Sequence, residues 1–450
     1  MTRHTDKQLI VGFGVTGLSV ARHLVRNGSS FEIADKQSAI STSAIEELPM
    51  LSGVVYHPGD WTVELFCRFD RLIVSPGVPT RSQVFEEARS AGVEIISDVE
   101  LFARDVRKPV ISVTGSNGKS TVVSMIGSIL EAAGLRAAVV GNVGLACLDG
   151  LADNAIDIYV VELSSFQLEN TYSLKSLAAT VLNVSEDHMD RYDGIEDYSA
   201  VKRRIYNNAE HVLVNTDDAR TRYMGSSAKG ISFSIEHSNA DWYLSSQRNT
   251  LNGPGGISAD VSALRVSGGH NCSNALAAMA LATVALDRVG LHKARQLSDI
   301  YTTGLGNFRG LPHRTELVCQ LNGVNWFNDS KGTNVGACVS AIKGMSGPVV
   351  LIAGGQGKNA EFAPLVEVVA SKCRAVILFG EDAEKIHHAI GNKVPVIRAA
   401  SLEESVERAS EIAQSGDCVL LSPACASFDM FRNFEERGRS FVSEVHKLCA

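Results

Sequence analysis

The run Gly115-Ser-Asn-Gly-Lys-Ser-Thr121 contains the residue types that can hold a phosphate group. The apolar, β-branched residues 110–113 before it predict a buried strand, and residues 122–133 have the length and apolar spacing of a helix. In such a loop the backbone N–H groups face an anion, Lys119 adds positive charge, and the Ser120 hydroxyl can bind Mg²⁺. The predicted phosphate-binding residues are Gly115, Ser116, Asn117, Gly118, Lys119, Ser120 and Thr121.

This loop is shorter than the common phosphate loop of nucleotide-hydrolysing enzymes. In the pattern G-x-x-x-x-G-K-[ST], the first glycine would occupy the position of Val113. A generic P-loop ATPase is therefore disfavoured, although strand, loop and helix follow in the required order. The alternative is a glycine turn that opens a helix, leaves Lys119 in solvent and binds no phosphate.

Other polar residues follow predicted strands in the same part of the chain. Asn142 and Glu162 each come after a short apolar run, and His188 lies in the polar loop after residues 178–184. Because parallel strands end at one edge of a sheet, we expect Lys119, Glu162 and His188 to lie together. A glutamate beside a phosphate loop suits Mg²⁺; the alternative is a capping or salt-bridged side chain. For His188 the alternative is a structural or solvated ring.

Two lysines and two asparagines allow both a structural and a functional interpretation. Lys202 lies beside two arginines in a helical pattern, which is typical of a basic helix face. Lys358 ends a glycine-rich run without a following Ser or Thr, so it suits a carboxylate better than a phosphate; a solvated loop lysine is the alternative. Asn271 and Asn274 share one face at a helix start, where they could cap the helix or bind a base.

The N-terminal residues predict a βαβ unit with the pattern G-x-G-x-x-G at positions 12, 14 and 17. An acid follows the second strand, where such units contact a ribose, and a further strand ends in polar and glycine residues. The pattern suits NAD(P), a nucleotide-diphosphate substrate, or a Rossmann-like domain without a ligand. The candidate binding residues are Gly14, Val15, Thr16, Asp35, Ser75 and Gly77.

The composition limits the class of protein. The 450 residues, 45% hydrophobic and 20% charged, are typical of a soluble globular chain of about two to four domains. A net charge of −8 argues against nucleic acid or an anionic membrane as the main partner. Nine scattered cysteines indicate a reducing compartment without a disulfide framework. We expect no signal peptide, and residues 275–286, the longest apolar run, predict a buried helix.

We expect an α/β protein with three domains. Pro109 disfavours helix at the residue before it and precedes the strand of the phosphate loop, and short apolar runs after residue 310 predict another doubly wound sheet. Residues 1–108 would form a Rossmann-like domain, 109–310 a central P-loop ATPase-type parallel sheet, and 311–450 a Rossmann-like, doubly wound domain.

At several points the sequence resembles the Mur ligases, in motif order and over nearly the whole chain. The short glycine loop fits this family, which explains why Val113 stands where the longer loop pattern has glycine. The run nearest the C-terminus, residues 421–438, is long and specific. One departure is Gly332, where the family pattern has Ala; we expect Gly to keep the turn and loosen it. The runs are Thr114–Thr121, Glu162–Glu169, Asn183 with His188–Tyr192, Lys202, His270–Asn274, Gly310–Arg314, Asn328–Asn334 and Leu421–Gly438.

The resemblance implies roles that spacing alone does not favour. Lys202 would be carbamylated by CO₂ and become an anionic metal ligand, which requires a neutral amine and hence a lowered lysine pKa. Ser120 and Glu162 would hold one Mg²⁺, and His188 would help Lys202 hold a second. Lys119, His188 and Lys202 would be the catalytic residues.

The resemblance also implies where the substrates bind. Asn142 and His188 would contact a UDP-linked substrate together with the candidate residues of the first domain. Further ATP contacts would come from Asn142, Asn271, Asn274, Arg314, Asp329 and Lys331. The carboxylates of D-glutamate would be received by Thr333, Lys358, Ser427 and Phe434.

The implied activity is an ATP-dependent amide ligase of cytoplasmic peptidoglycan precursor synthesis. It would join D-glutamate to UDP-N-acetylmuramoyl-L-alanine through an acyl phosphate, with open and closed states about a hinge at residues 308–314. We expect a monomer, with no nucleic-acid partner and no membrane insertion. The alternatives are an NAD(P) oxidoreductase with an accessory NTPase domain, a non-catalytic nucleotide-binding regulator, and a related ligase that adds a different amino acid.

Overall fold

The computed structural model describes residues 7–223, 225, 228–266 and 268–449. In these ranges, β-sheets of five, nine and six strands succeed one another along the chain, with helices between the strands. The predicted α/β class with three domains is confirmed, whereas the exact boundaries near residues 108 and 310 stay predictions. Among the described helices, none combines the length and the apolar character needed to cross a lipid bilayer.

The first domain contains one five-stranded sheet. Its strands are β1 (Gln8–Val11), β2 (Phe31–Asp35), β3 (Tyr56–Pro58), β4 (Arg71–Val74) and β5 (Glu94–Ser97). Its helices are α1 (Val15–Arg26), α2 (Thr42–Glu47), α3 (Val63–Phe66), α4 (Gln83–Ser90) and α5 (Asp98–Asp105). The sheet is parallel, in the order β3-β2-β1-β4-β5 of the Rossmann fold. The glycine pattern forms the turn between β1 and α1, as predicted.

The middle domain contains the phosphate loop, between its first strand and first helix. Its strands are β6 (Val110–Thr114), β7 (Ala137–Gly141), β8 (Ile158–Glu162), β9 (Ala178–Val181), β10 (His211–Asn215), β11 (Lys229–Ser234), β12 (Trp242–Ser245), β13 (Thr250–Asn252) and β14 (Ser258–Asp260). Its helices are α6 (Lys119–Ala132), α7 (Cys147–Gly150), α8 (Ser165–Glu169), α9 (Ile195–Arg203), α10 (Gly269–Arg288) and α11 (Ala294–Asn307).

The sheet of the middle domain differs in part from the prediction. Its order is β14-β13-β12-β11-β10-β9-β6-β8-β7, parallel from β12 to β7 as predicted, with the antiparallel pairs β12–β13 and β13–β14 added at one edge. The predicted buried helix at residues 275–286 is confirmed as part of α10, which begins earlier, at Gly269. This earlier start decides where Asn271 and Asn274 lie.

The third domain contains one six-stranded sheet. Its strands are β15 (Glu316–Leu321), β16 (Val324–Asn328), β17 (Val349–Gly354), β18 (Cys373–Phe379), β19 (Val396–Arg398) and β20 (Cys418–Leu421). Its helices are α12 (Val335–Gly344), α13 (Leu365–Lys372), α14 (Ala383–Ile390), α15 (Leu402–Ile412) and α16 (Phe434–Cys449). The strand order is β15-β16-β20-β17-β18-β19, parallel except for the edge pair β15–β16.

The first and middle domains are joined by a shared hydrophobic core. One continuous cluster contains residues of both, and the rings of Phe102 and Tyr159 meet edge-on in it at 5.3 Å. Arg22 forms a two-pronged ion pair with Asp149 across the same interface.

The third domain has its own apolar clusters, and hydrogen bonds join it to the middle domain between Arg314 and Ser120 and between Asn117 and Asn334. Because the first two domains share a core and the third does not, we expect the third domain to be the one that moves relative to the others.

Candidate active site

The phosphate loop has the geometry of an anion-binding turn. Gly118 has a φ of +83° and stands immediately before the first residue of α6, so the helix N-terminus opens at Lys119. The Lys119 ammonium donates hydrogen bonds to the carbonyls of Gly115 (2.9 Å) and Ser116 (3.0 Å). Burial lowers the pKa of Lys119. The lysine is therefore held inside the loop, and the interpretation of a solvated Lys119 is wrong.

Helix α10 supports this loop through Asn274. A Cβ atom placed on Gly118 would lie 2.5 Å from Asn274 Oδ1, so only glycine allows this approach. Asn271 and Asn274 lie within the first turns of α10, after Gly268 at the helix start, and the Asn274 amide donates to Asn271 Oδ1 at 3.2 Å. The interpretation of these two residues as caps is therefore wrong.

Two cavities lie between the middle and third domains. The first interdomain cavity, of about 320 Å³, lies beside the phosphate loop and the start of α10. The predicted site residues that line it are Asn117, Gly118, Thr121, Asn271, Asn274, Arg314, Asp329 and Lys331. These are residues for which nucleotide contacts were predicted, and they come from both domains.

The second interdomain cavity, of about 400 Å³, adjoins the first and shares the phosphate loop with it. The further predicted residues that line it are Ser116, Lys119, Asn142, Glu162, His188, Lys202, Thr333, Lys358, Ser427 and Phe434. The expectation that Lys119, Glu162 and His188 lie together is therefore confirmed. Gly115 and Ser120 are not among the cavity's lining residues. The Gly115 carbonyl accepts hydrogen bonds from Lys119 and Lys202, and Ser120 Oγ accepts one from Arg314.

Glu162 ends β8 with one carboxylate oxygen held and the other free. Its Oε1 atom accepts a hydrogen bond from the Asn142 amide at 2.8 Å. Its Oε2 atom is buried and has no hydrogen-bond partner among the described residues. A buried carboxylate oxygen without a donor is costly unless a cation or a proton satisfies it. The donor set therefore fits Mg²⁺, which prefers oxygen ligands.

Lys202 is buried, with only 1% of the residue exposed, so its interpretation as part of a basic helix face is wrong. Its ammonium donates to the Gly115 carbonyl at 2.9 Å and lies 4.4 Å from the centre of the Tyr198 ring. Burial, followed by the positive charge of Lys119, lowers the pKa of Lys202 well below its ordinary value. The surroundings thus favour the neutral amine.

His188 stands in a left-handed backbone conformation, with a φ of +59°, at the wall of the second interdomain cavity. Its ring contacts Phe166, with 4.7 Å between ring centres. Burial lowers the pKa of His188 to about 4. A neutral imidazole can act as a metal ligand, so this environment fits the predicted role and disfavours a solvated ring.

The third domain reaches the phosphate loop through Arg314. Its guanidinium donates to Ser120 Oγ at 2.9 Å, and burial lowers its pKa. The Asp329 carboxylate accepts hydrogen bonds from Thr315 and from Ser422 Oγ (2.7 Å), and burial raises its pKa to about 6. The Lys331 ammonium lies 3.6 Å from the centre of the Phe434 ring.

The turn at Gly332 forms as expected but is tightly packed. Its N–H donates to the Asp329 carbonyl at 2.8 Å, which closes the turn. A Cβ atom on Gly332 would lie 2.5 Å from Asp329 Oδ2 and 2.7 Å from Ser422 Oγ. The expectation that Gly keeps this turn is confirmed, and its loosening stays a prediction; the Asp329 and Ser422 side chains close over the space that a methyl group would need.

The first domain has a separate cavity of about 290 Å³. Of the predicted residues, Gly14, Val15 and Asp35 line it, whereas Thr16, Ser75 and Gly77 are not among its lining residues. Ser75 instead supports the glycine loop, since its hydroxyl donates to the Gly12 carbonyl at 2.7 Å. Both Asp35 oxygens accept backbone N–H groups, from Phe13 and Gln37. The cavity can take part of a nucleotide.

Three residues of the site were not predicted from the sequence. Asn334 caps α12 and exchanges amide hydrogen bonds with Asn117 across the domain gap, at 3.1 and 3.2 Å. Tyr198 stacks beside Lys202. Asp187 forms an ion pair with Lys358. Two of them could have been found from the sequence, because Asn334 ends the family run Asn328–Asn334 and Asp187 directly precedes His188.

Three α/β domains, with a phosphate loop in the middle one and a polar cavity shared with the third, are the architecture expected of nucleotide-dependent ligases such as the Mur ligases. The chain belongs to the Mur ligase family. Residues 6–97 match the "Mur ligase MurD-like, N-terminal domain", residues 113–282 the "Mur ligase middle domain", and residues 313–425 the "Mur ligase, glutamate ligase domain".

Relatives of similar length agree with this assignment. The UDP-N-acetylmuramoylalanine–D-glutamate ligases of Pseudomonas fluorescens (strain Pf0-1) and Legionella pneumophila (strain Lens) are each 44% identical to the chain and cover 98% of it; the chain covers 98% and 99% of them. The resemblance predicted from sequence is therefore confirmed.

Solved structures show the same fold at low identity. A pseudomurein peptide ligase type C from Methanothermus fervidus superposes with a TM-score of 0.63 at 18% identity, covering 98% of this chain and 100% of that one. The MurF ligase of Thermotoga maritima in complex with ADP gives a TM-score of 0.60 at 14% identity, covering 100% and 97%.

Proposed function

We propose that this chain is an ATP-dependent amide ligase that joins D-glutamate to UDP-N-acetylmuramoyl-L-alanine. The observation that carries the proposal is the second interdomain cavity, which unites Lys119 and Glu162 of the middle domain with Lys358 and Ser427 of the third. Relatives 44% identical over nearly their whole length bear the name of this ligase. Such a site brings a phosphate donor and a carboxylate-bearing acceptor into one space.

ATP would occupy the first interdomain cavity and extend its phosphates toward the second. Asn271 and Asn274 would receive the adenine and phosphate end, and Lys119 would turn from the loop carbonyls to the phosphates. Arg314, Asp329 and Lys331 would meet the nucleotide from the third domain. A related ligase of this fold is described in complex with ADP, which supports nucleotide use here.

Two Mg²⁺ ions would bind where the phosphate loop meets the second interdomain cavity. Ser120 and Glu162 would hold one, because the Glu162 Oε2 atom is buried without a hydrogen-bond donor among the described residues. His188 and the Lys202 carbamate would hold the other. When bound, the ions would lower the repulsion between two anionic reactants and stabilise charge on the transferring phosphoryl group.

Lys202 has the properties that carbamylation requires. Its amine is buried, lies near a second ammonium and has a strongly lowered pKa, so the neutral, nucleophilic form is favoured. Attack on CO₂ forms the N–C bond and releases one proton. The resulting carbamate converts a buried cation into an anion, which suits a metal ligand.

The two organic substrates would bind at opposite ends of the site. The nucleotide part of UDP-N-acetylmuramoyl-L-alanine would lie at Gly14, Val15 and Asp35, near Thr16, Ser75 and Gly77, and its alanyl end would reach Asn142 and His188. The D-glutamate carboxylates would be received by Thr333, Lys358, Ser427 and Phe434.

The reaction would proceed in two steps. The carboxylate of the L-alanyl group attacks the γ-phosphorus in line, and ADP leaves from an acyl phosphate. The amine of D-glutamate then attacks the acyl carbon, phosphate leaves, and the amine gives up a proton as the amide forms. Lys119 neutralises charge on the transferred phosphoryl group throughout.

The cellular setting follows from this reaction. The product is a peptidoglycan precursor, so we assign the chain to cytoplasmic cell-wall synthesis and expect it to act as a monomer. We place domain boundaries near residues 108 and 310, with a hinge at 308–314 that opens and closes the third domain.

Phosphate release from ATP tests the proposed function directly. Release should require both UDP-N-acetylmuramoyl-L-alanine and D-glutamate. Release with another amino acid in place of D-glutamate would reassign the specificity. A nicotinamide-dependent absorbance change would instead favour the oxidoreductase alternative, whose only support is the glycine pattern and Asp35 of the first domain.

A further inference from the structure

A partly buried ion pair joins the middle domain to the third domain in the second interdomain cavity. Lys358 Nζ lies 3.0 Å from Asp187 Oδ1, and the two side chains are 17% and 11% exposed. The Asn334 amide donates to the other Asp187 oxygen at 3.3 Å, and His188 Nε2 lies 3.6 Å from it. Asp187 thus faces the cavity with its charge balanced by a residue of the opposite domain.

Few other anionic side chains face this cavity. Among the described residues that line it, the carboxylates are Glu162, Asp187 and Glu435. Glu162 accepts a hydrogen bond from Asn142 beside the phosphate loop, and the negative charge of Glu435 stabilises the Lys331 ammonium. Asp187 is therefore the carboxylate placed next to the lysine that is proposed to bind D-glutamate.

We infer that the Asp187–Lys358 pair is the binding site for the zwitterionic head group of the incoming amino acid. The α-carboxylate pairs with Lys358, and the α-ammonium pairs with Asp187. The side-chain carboxylate is then left to Thr333 and Ser427. The inference rests on the proposed function and adds Asp187 as a residue that positions the nucleophile.

The exchange is favourable in charge terms because no buried charge loses its partner. Removing one member of a buried ion pair is costly, since the other is left uncompensated. The zwitterionic head group instead replaces one internal pair by two intermolecular pairs and by itself adds no net charge; the side-chain carboxylate adds one negative charge, which Thr333 and Ser427 would receive. The same exchange directs the amine toward the middle domain, where Lys119, Glu162 and His188 lie.

The test compares ligands with and without the ammonium in D187N and wild-type full-length protein. D187N should raise the KM for D-glutamate about 10- to 100-fold, because a hydrogen bond between charged groups is lost. The inhibition constant of glutarate, which has both carboxylates and no amine, should fall rather than rise, because glutarate bound to Lys358 leaves the charge of Asp187 without a partner in the wild-type protein. D193N, which removes an exposed carboxylate from the same loop, is the matched control and should leave both constants unchanged.

Each other outcome contradicts the inference. An equal loss for D-glutamate and glutarate would mean that Asp187 acts only through Lys358. An unchanged KM for D-glutamate would remove Asp187 from the site. If D187N does not fold, the wild-type protein decides: (R)-2-hydroxyglutarate, with a hydroxyl in place of the ammonium, should bind at least about tenfold more weakly than D-glutamate, and equal binding would overturn the inference. Wild-type protein without D-glutamate-dependent phosphate release would contradict the proposed function itself.

Discussion

At Lys202, burial and the ammonium of Lys119 disfavour a charged amine and lower its pKa. The carboxylates of Asp187 and Glu162 act in the opposite direction, and the nearby Tyr198 ring also favours the cation. The pKa nevertheless lies well below the ordinary lysine value, with burial as the largest cause. The balance leaves an amine able to react with CO₂, close to the phosphate loop.

The substitution Lys202→Ala should reduce phosphate release about 100-fold, because a charged group that stabilises the transferring phosphoryl group is lost. A small carboxylic acid such as acetate should restore part of the activity, since it can occupy the space left by the carbamate. Steady-state rates with increasing acetate measure this. Arg203→Ala, one residue along the same helix, is the control and should keep most activity; full activity in Lys202→Ala would end the carbamate role.

Residue types at the phosphate loop could be predicted from sequence because local spacing determines their chemistry. Gly115, Lys119 and Ser120 act through a strand–loop–helix unit that is contiguous in the chain. Lys202 could not be recognised from spacing, because adjacent Arg203 and Arg204 give α9 the pattern of a basic surface. Its burial depends on how α9 packs against the Gly115 carbonyl, a contact 87 residues away in sequence.

At the scale of elements, the contact between the phosphate loop and α10 fixes the nucleotide site. Gly118 adopts a φ of +83°, and the side chain of Asn274 packs so close to it that there is no space for a Cβ atom. Gly134, at the other end of α6, has a φ of +82° with no atom near its missing Cβ. The two glycines therefore share a backbone requirement and differ only in packing.

Alanine at these two positions should separate the two effects. Gly134→Ala should cost about 1–2 kcal/mol of unfolding free energy, the penalty of a left-handed residue, with little effect on activity. Gly118→Ala should have the same penalty and also lower kcat/KM for ATP about 100-fold, because Asn274 and the loop must move apart. Denaturant unfolding and ATP titrations measure the two quantities. Equal kinetic effects at both positions would contradict the packing argument.

Elements with strong apolar periodicity could be predicted, and weakly patterned ones could not. The strands β1, β6, β8 and β20 are buried along their whole length, and their apolar runs identify them. By contrast, β11 to β14 are partly exposed and contain polar residues, so no continuous apolar run identifies them. Asn271 and Asn274 were open to interpretation as caps because the sequence does not show that α10 begins at Gly269.

At the scale of the molecule, the three domains are joined in two different ways. The first and middle domains share a hydrophobic cluster and the Arg22–Asp149 ion pair. The middle and third domains meet through polar contacts such as Arg314–Ser120 and Asn117–Asn334. Polar contacts lining cavities are readily exchanged for ligand contacts, whereas separating a shared core exposes apolar surface to water.

The third domain should therefore move relative to the other two, which stay together, and small-angle scattering should detect this movement. The scattering curve of the free protein should correspond to an average that is more extended than this structure. A non-hydrolysable ATP analogue together with UDP-N-acetylmuramoyl-L-alanine should reduce the radius of gyration and bring the scattering curve to the one calculated from this structure. Superimposable curves with and without ligands would contradict a hinge at residues 308–314.

The most direct test of the central claim is phosphate release from ATP measured with UDP-N-acetylmuramoyl-L-alanine, with and without D-glutamate, and then with other amino acids. We predict release only when both acceptors are present, and D-glutamate preferred over every other amino acid. No release with any combination would contradict the assignment of this site to an ATP-dependent amide ligase.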